Sequence, residues 1–239
     1  MITPQQQQQI DAAMELLSAH IASPPWEEAM VQVFTDAIDY AAEMLEIGEE
    51  DILDYLDEQP LGQMAHAHVF EYFVNTEFNE EGESVLQQFM RTRVEQSTDS
   101  YACHYLKALS ESELAIWEVV GLKPGQYAQV RRLGSDDAPV NVVTEATSVP
   151  QNMCLAARLL ALPDGMNTFG YSLLPIERSE AEDILAYLQQ VRAEMLEKAN
   201  SGELENVNAA DLEEAIHEEM VDLMFYETLT SWLAQGFEE

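Results

Sequence analysis

The sequence predicts an α+β protein in three parts: an N-terminal helical bundle over residues 1–110, a β-rich module over 111–176, and a C-terminal helical pair over 177–239. Two observations carry this division. Outside Leu114 to Ile176, apolar residues recur at three- and four-residue steps, the period of a helix with one buried face. Inside that stretch, short runs of β-branched and aromatic residues sit between Gly-, Pro- and Asp-containing turns, the pattern of strands. The five strands should form a small antiparallel barrel or strongly curled sheet, with an open two-layer sheet capped by the flanking helices as the runner-up.

The first helix should open with the Gln5 to Gln9 tract and run to about Ala22, burying Ile10, Ala13, Met14, Leu17 and Ile21. Ser23-Pro24-Pro25 breaks it, and Glu27 and Glu28 complement the start of a second helix that ends near Gly48. That helix should bury Trp26, Met30, Val33, Phe34, Ala37, Ala41, Met44 and Leu45. Glu49 to Glu58 reads as a third helix, stopped before Pro60. A fourth, Gln63 to Phe78, carries Phe70, Tyr72, Phe73 and Phe78 and should be the centre of the bundle. Helix from Glu83 to Ala108 should break near Ser97-Thr98-Asp99, a cluster able to cap a new start.

The strands are expected at Ala115–Leu122, Tyr127–Leu133, Val140–Glu145, Met153–Leu162 and Thr168–Leu174. Lys123-Pro124-Gly125-Gln126 supplies a tight turn, so the first two strands should pair. After the sheet, Ser179 and Glu182 have capping-box spacing for a helix to about Ala199, with Ile184, Leu188, Val191 and Met195 on one face. Asn208 can cap the last helix, Ala209 to Gln235, whose apolar stripe includes Leu212, Ile216, Met220, Leu223, Met224 and Leu233.

The segments Tyr105-Leu106-Lys107-Ala108-Leu109-Ser110, Trp117-Glu118-Val119-Val120, Lys123-Pro124-Gly125 and Val130-Arg131-Arg132-Leu133 resemble a β-rich module of uncharacterised bacterial proteins, some of which carry a C-terminal SEC-C zinc motif. The SEC-C motif itself is absent here, because it needs clustered cysteines and the chain has only Cys103 and Cys154. The resemblance implies a bacterial origin and a β module, and it transfers no functional residue.

Charge is the strongest compositional signal. Lys and Arg number 10 against 45 Asp and Glu, a net charge of −35. A surface so anionic does not grip nucleic-acid phosphates, so direct nucleic-acid binding is not expected. Residues 1–90 hold 19 acids and 199–239 hold 11, with no Lys or Arg in either segment; all bases lie in 91–198. Two cysteines fifty-one positions apart fit a reducing cytoplasm rather than a disulfide framework. The N-terminus lacks the basic-then-apolar pattern of a signal peptide, and no apolar run suits a spanning helix.

Catalytic, metal and cofactor motifs are not found. His66 and His68, two apart on a helix, face different ways and read as structural or surface residues. Glu214 and His217 form one Glu-x-x-His pair, whereas a di-iron bundle needs two such pairs and further carboxylates. Val221 stands where a zinc-protease helix would need its second histidine. Cys103-His104 reads as a small buried cysteine before a nucleophile. The acids Glu49, Glu50, Asp51, Asp54, Asp57 and Glu58 lack the Asp-x-Asp-x-Asp-Gly loop of a calcium site, and no phosphate or dinucleotide loop occurs.

The candidate site is a stripe of acid. Asp36, Asp39, Glu43, Glu46 and Glu50 recur at three- and four-residue steps and should line one helix face, where like charges cost roughly 0.2–0.5 kcal/mol per pair. The expected function is a non-catalytic adaptor or inhibitor that engages a basic protein surface, in its sharper form as a mimic of nucleic acid for a nucleic-acid-binding partner. The alternatives are an enzyme with its site in the β module or its cleft with the helices, and a structural subunit.

Overall fold

The structure, a computed structural model, describes residues 2–58, 62–76, 82–94, 100–144, 146, 148, 152–201 and 208–237. Pro60, Phe78, Ser97-Thr98-Asp99 and Glu145, all used above, lie outside them. Eight α-helices and five strands occur among the described residues.

Helix α1 (Pro4–Ile21) is opened by a capping box between Thr3 and Gln6 and buries the five predicted residues Ile10, Ala13, Met14, Leu17 and Ile21. Helix α2 (Trp26–Leu45) stops short of Gly48. Glu46 takes the left-handed conformation at φ 54°, and the Ile47 amide donates to the Ala42 carbonyl at 3.1 Å, closing the helix as a Schellman turn. Met44 is 54% exposed rather than buried, because it lies on the outer side of this last turn. Helix α3 (Glu49–Glu58) has the expected bounds.

Helix α4 (Gly62–Asn75) is the centre of the helical layer. Ala65, Val69 and Tyr72 join one core, with α2, α3 and the C-terminal helix, while Phe73 and Val74 join a second with α1. Buried on both sides, it has no fully polar face, and even His68 and Glu71 are inside. Helix α5 (Val85–Phe89), capped by Ser84 and Gln87, runs into a π-helical turn, Met90–Val94. Helix α6 (Tyr101–Ser110) starts from Ser100, whose hydroxyl accepts from the Cys103 amide at 3.2 Å.

Strands β1 (Leu114–Lys123), β2 (Tyr127–Arg132), β3 (Val140–Val143), β4 (Met153–Ala161) and β5 (Asn167–Glu177) form a closed barrel in the order β1-β2-β3-β5-β4. The barrel is not wholly antiparallel: β3 and β5 run parallel at Val142 and Asn167. Around a closed ring of five strands, an odd number, antiparallel neighbours cannot alternate throughout, so one pair must be parallel. Ala128, Val130 and Val142 fill the interior with Trp117, Val119 and Phe169, while Ile116, Ala156, Leu174 and Ile176 pack toward the helices.

Helix α7 (Arg178–Ser201) continues directly from β5, so Ser179 is already helical and does not cap. Glu182 pairs instead with Arg178 at 2.8 Å. Helix α8 (Ala209–Ala234) begins at Asn208, whose side-chain oxygen accepts from the Ala210 and Asp211 amides at 2.9 and 3.0 Å. Its buried stripe is larger than predicted, adding Phe225, Leu229 and Trp232, and it packs into the same core as α2, α4 and α7. No described helix is long and apolar enough to cross a membrane.

Candidate functional site

The acidic residues are presented by α2 and its junction with α3. Asp36, Asp39 and Glu43 lie exposed on α2, on the side opposite Ala37, Ile38 and Ala41. They do not form one helix face with Glu46 and Glu50 as expected: the left-handed turn makes Glu46 the end of α2 and places Glu50 in the first turn of α3. All five carboxylates face solvent, but across a helix–turn–helix rather than along a single rod. Gln32 Nε2 donates to Asp36 at 2.7 Å.

Helix α8 brings the second base-free segment against the first. Tyr40 of α2 donates to Glu227 of α8 at 2.6 Å, and Tyr72 of α4 donates to Asp222 at 2.6 Å. The Tyr226 hydroxyl is pushed up first by burial and then by Asp36 and Asp222, carboxylates from the two ends of the chain acting on one ring. Acids from the two base-free segments therefore meet where α2 packs against α8. With so many like charges brought together, added salt should stabilise the fold. Thermal melts should rise as the Debye length falls from about 30 Å at 0.01 M to about 8 Å at physiological strength. An unchanged or lower melting temperature would show that the repulsion is already compensated.

Glu214 and His217 do share a face, lining a cleft of about 430 Å³ with Glu218, Asp222 and Tyr72. No group of three His, Cys, Asp or Glu among the described residues could hold a metal ion. His66 stacks on Phe34 with ring centroids 4.7 Å apart, a packing role. Cys103 is half-buried and Cys154 buried, both as free thiols.

A buried polar joint between α4, β4, β5 and α8 is the feature that sequence reasoning misses. His68 is 2% exposed; its Nδ1 lies 2.7 Å from the Ser172 hydroxyl and its Nε2 3.1 Å from that of Thr228. Thr228 donates its own proton to the Met224 carbonyl at 2.7 Å, so Nε2 must be the protonated nitrogen and Nδ1 the acceptor from Ser172. Burial pulls His68 down to about 3, with the Phe225 backbone opposing and Arg158 adding to the shift. One turn on, Glu71 is equally buried and accepts from the Tyr171 and Ser172 amides.

Those two amides are available because the β4–β5 ladder is interrupted: Ala157 pairs with Leu173 and Leu159 with Phe169, leaving Gly170, Tyr171 and Ser172 opposite Arg158 alone. Gly170 makes the approach possible, since a Cβ there would lie 2.3 Å from Glu71 Oε1. Arg158, 5% exposed, donates to the Ser112 carbonyl and faces Glu71 electrostatically. Burial pushes Glu71 up to about 7, against the downward pull of Arg158 and the two amides. A histidine and a shifted carboxyl are a catalytic combination in an open site. Here neither lines any of the described cavities, and the hydrogen bonds of His68 and of Glu71 Oε1 tie the barrel to the helices, while Glu71 Oε2 is buried without a hydrogen-bond partner.

Comparison with protein-family models, with curated proteins and with solved structures finds no match to this chain.

Proposed function

We propose that the protein is a non-catalytic adaptor or inhibitor that binds a basic protein surface through the acidic side built by α2, α3 and α8. The observation that carries this reading is the meeting of the two base-free segments: Asp36 with Asp222 at the Tyr226 ring and Glu43 with Glu227 at the Tyr40 ring join α2 to α8, with Asp39, Glu46 and Glu50 extending the field. Stability alone gives no reason to collect like charges in this way. In its sharper form the reading is imitation of nucleic acid, the partner being a nucleic-acid-binding protein. A reducing bacterial cytoplasm is the compartment that goes with it.

The test begins with a pull-down from the native host at low and high salt, followed by association kinetics with the captured protein. Asp39→Lys with Glu43→Lys should lower the association rate about tenfold or more at low salt, because steering depends on the summed field. The same reversal at exposed Asp136 and Asp137, on the β2–β3 connection, should have a much smaller effect. Added DNA should displace the partner if the surface imitates nucleic acid. Binding that ignores salt and survives the double reversal would remove this face from the mechanism.

A further inference from the structure

Among the described residues, a cleft of different character from the acidic surface is present. It lies where the start of β1 and the end of β2 meet α7 and α8, encloses about 220 Å³, and has a floor of Leu114, Leu185, Leu188 and Met224. Arg132 and Arg192 stand at its rim with Gln189 and His217. In a chain with only ten basic residues, two guanidiniums at one small apolar cleft are a large share of the positive charge.

Several other cations are committed elsewhere. Arg131 and Arg178 both bind Glu118, Arg91 pairs with Glu83, and Arg158 is buried. Arg192 makes no ion pair among the described residues, and Arg132 reaches only exposed Glu113, at 3.6 Å. A contact of that length between exposed groups is weak, so it leaves the guanidinium free to exchange partners.

We infer that this cleft binds a small monocarboxylic acid with an apolar body, the chain or ring lying on Leu114, Leu185, Leu188 and Met224 and the carboxylate held by Arg132 and Arg192. The planar guanidinium fork matches a carboxylate with two parallel hydrogen bonds, and the apolar floor supplies contact area without a competing polar group. Size limits the ligand: the cleft is smaller than the roughly 300–1,000 Å³ of pockets that hold drug-sized molecules. Glu113 is the built-in competitor, because it occupies the guanidinium that the ligand would take. The site is separate from the acidic face, and its existence does not depend on the function proposed for that face.

The test is a calorimetric titration of the full chain with butanoate, hexanoate and octanoate at physiological ionic strength, where the net negative charge is screened. Affinity should rise about threefold to fourfold per methylene until the cleft is full and then level off. 1-Octanol, which lacks the charge, should bind at least about tenfold more weakly than octanoate. Arg132→Gln with Arg192→Gln should weaken octanoate by a similar factor, and both residues are exposed, so the fold should survive, as checked by far-ultraviolet circular dichroism. Glu113→Gln should act in the opposite direction and tighten octanoate severalfold. Met220→Trp, which narrows the cleft and leaves the arginines in place, should abolish binding. Absence of saturable binding, equal affinity for the acid and the alcohol, or indifference to both the arginine and the Glu113 changes would each overturn the inference.

Discussion

The Glu71→Ala variant is expected to lose roughly 2–5 kcal/mol of stability, a large part of the 5–15 kcal/mol that holds a typical domain together. The change removes the acceptor for the Tyr171 and Ser172 amides, which have left the β4–β5 ladder and have no strand partner at that point. Two buried amides without an acceptor each cost about 1–3 kcal/mol. Urea unfolding with an unchanged m-value and a lowered midpoint would report it. Gly170→Ala should move the same way by a different route, since its Cβ would collide with Glu71 Oε1. A loss below about 1 kcal/mol in the Glu71 variant would mean that water or Arg158 movement replaces the contact, and that the joint is not what fastens barrel to helices.

The second large effect is in pH. Glu71 holds its proton in the fold up to about 7, while an unfolded chain releases it near 4.5. Its contribution to stability is therefore complete below 4.5 and lost as pH rises through about 7. His68 has the opposite sign: the unfolded chain takes a proton below 6.5 and the folded one refuses it until about 3, so stability is lost as pH falls through that window. Between 4.5 and 6.5 the two slopes, each at most about 1.4 kcal/mol per pH unit, oppose one another. Single variants uncover them. Relative to the parent, Glu71→Gln should gain about 2–3 kcal/mol between pH 4.5 and 7, whereas His68→Gln should fall behind by a similar amount between 4.5 and 6.5. Stability gaps that stay flat with pH in both variants would show that neither group is shifted as its burial implies.

Much of the architecture is legible from local pattern. The buried set of α1, the bounds of α3, the Asn208 cap of α8 and the five strand positions follow from periodicity and turn chemistry, which act over a few residues. What is not legible depends on contacts distant in sequence. Glu46 ends α2 two residues before Gly48 although it is neither Gly nor Asn, so the acidic stripe that runs through it bends where a sequence pattern continues straight. The parallel β3–β5 pair follows from closure of the ring, a property of all five strands together. His68 reads as a structural or surface histidine and Glu71 carries no signal of its own, and only the lack of any polar side to α4 hints at their burial. Gly170, inside an otherwise aromatic and hydroxyl-bearing strand, is the other local sign, because a glycine there marks a place where something approaches the backbone closely. The acidic residues of the candidate site were visible in sequence, but the junction of α2 with α8 that gathers them was not.

Closure of the barrel also restricts how any other chain can join this one. A sheet with a free margin offers a row of unpaired amides and carbonyls, the template for strand addition and for edge-to-edge aggregation. In this ring each strand is flanked on both sides, so those routes are shut along the paired residues. Along those residues another chain can be met only through side chains.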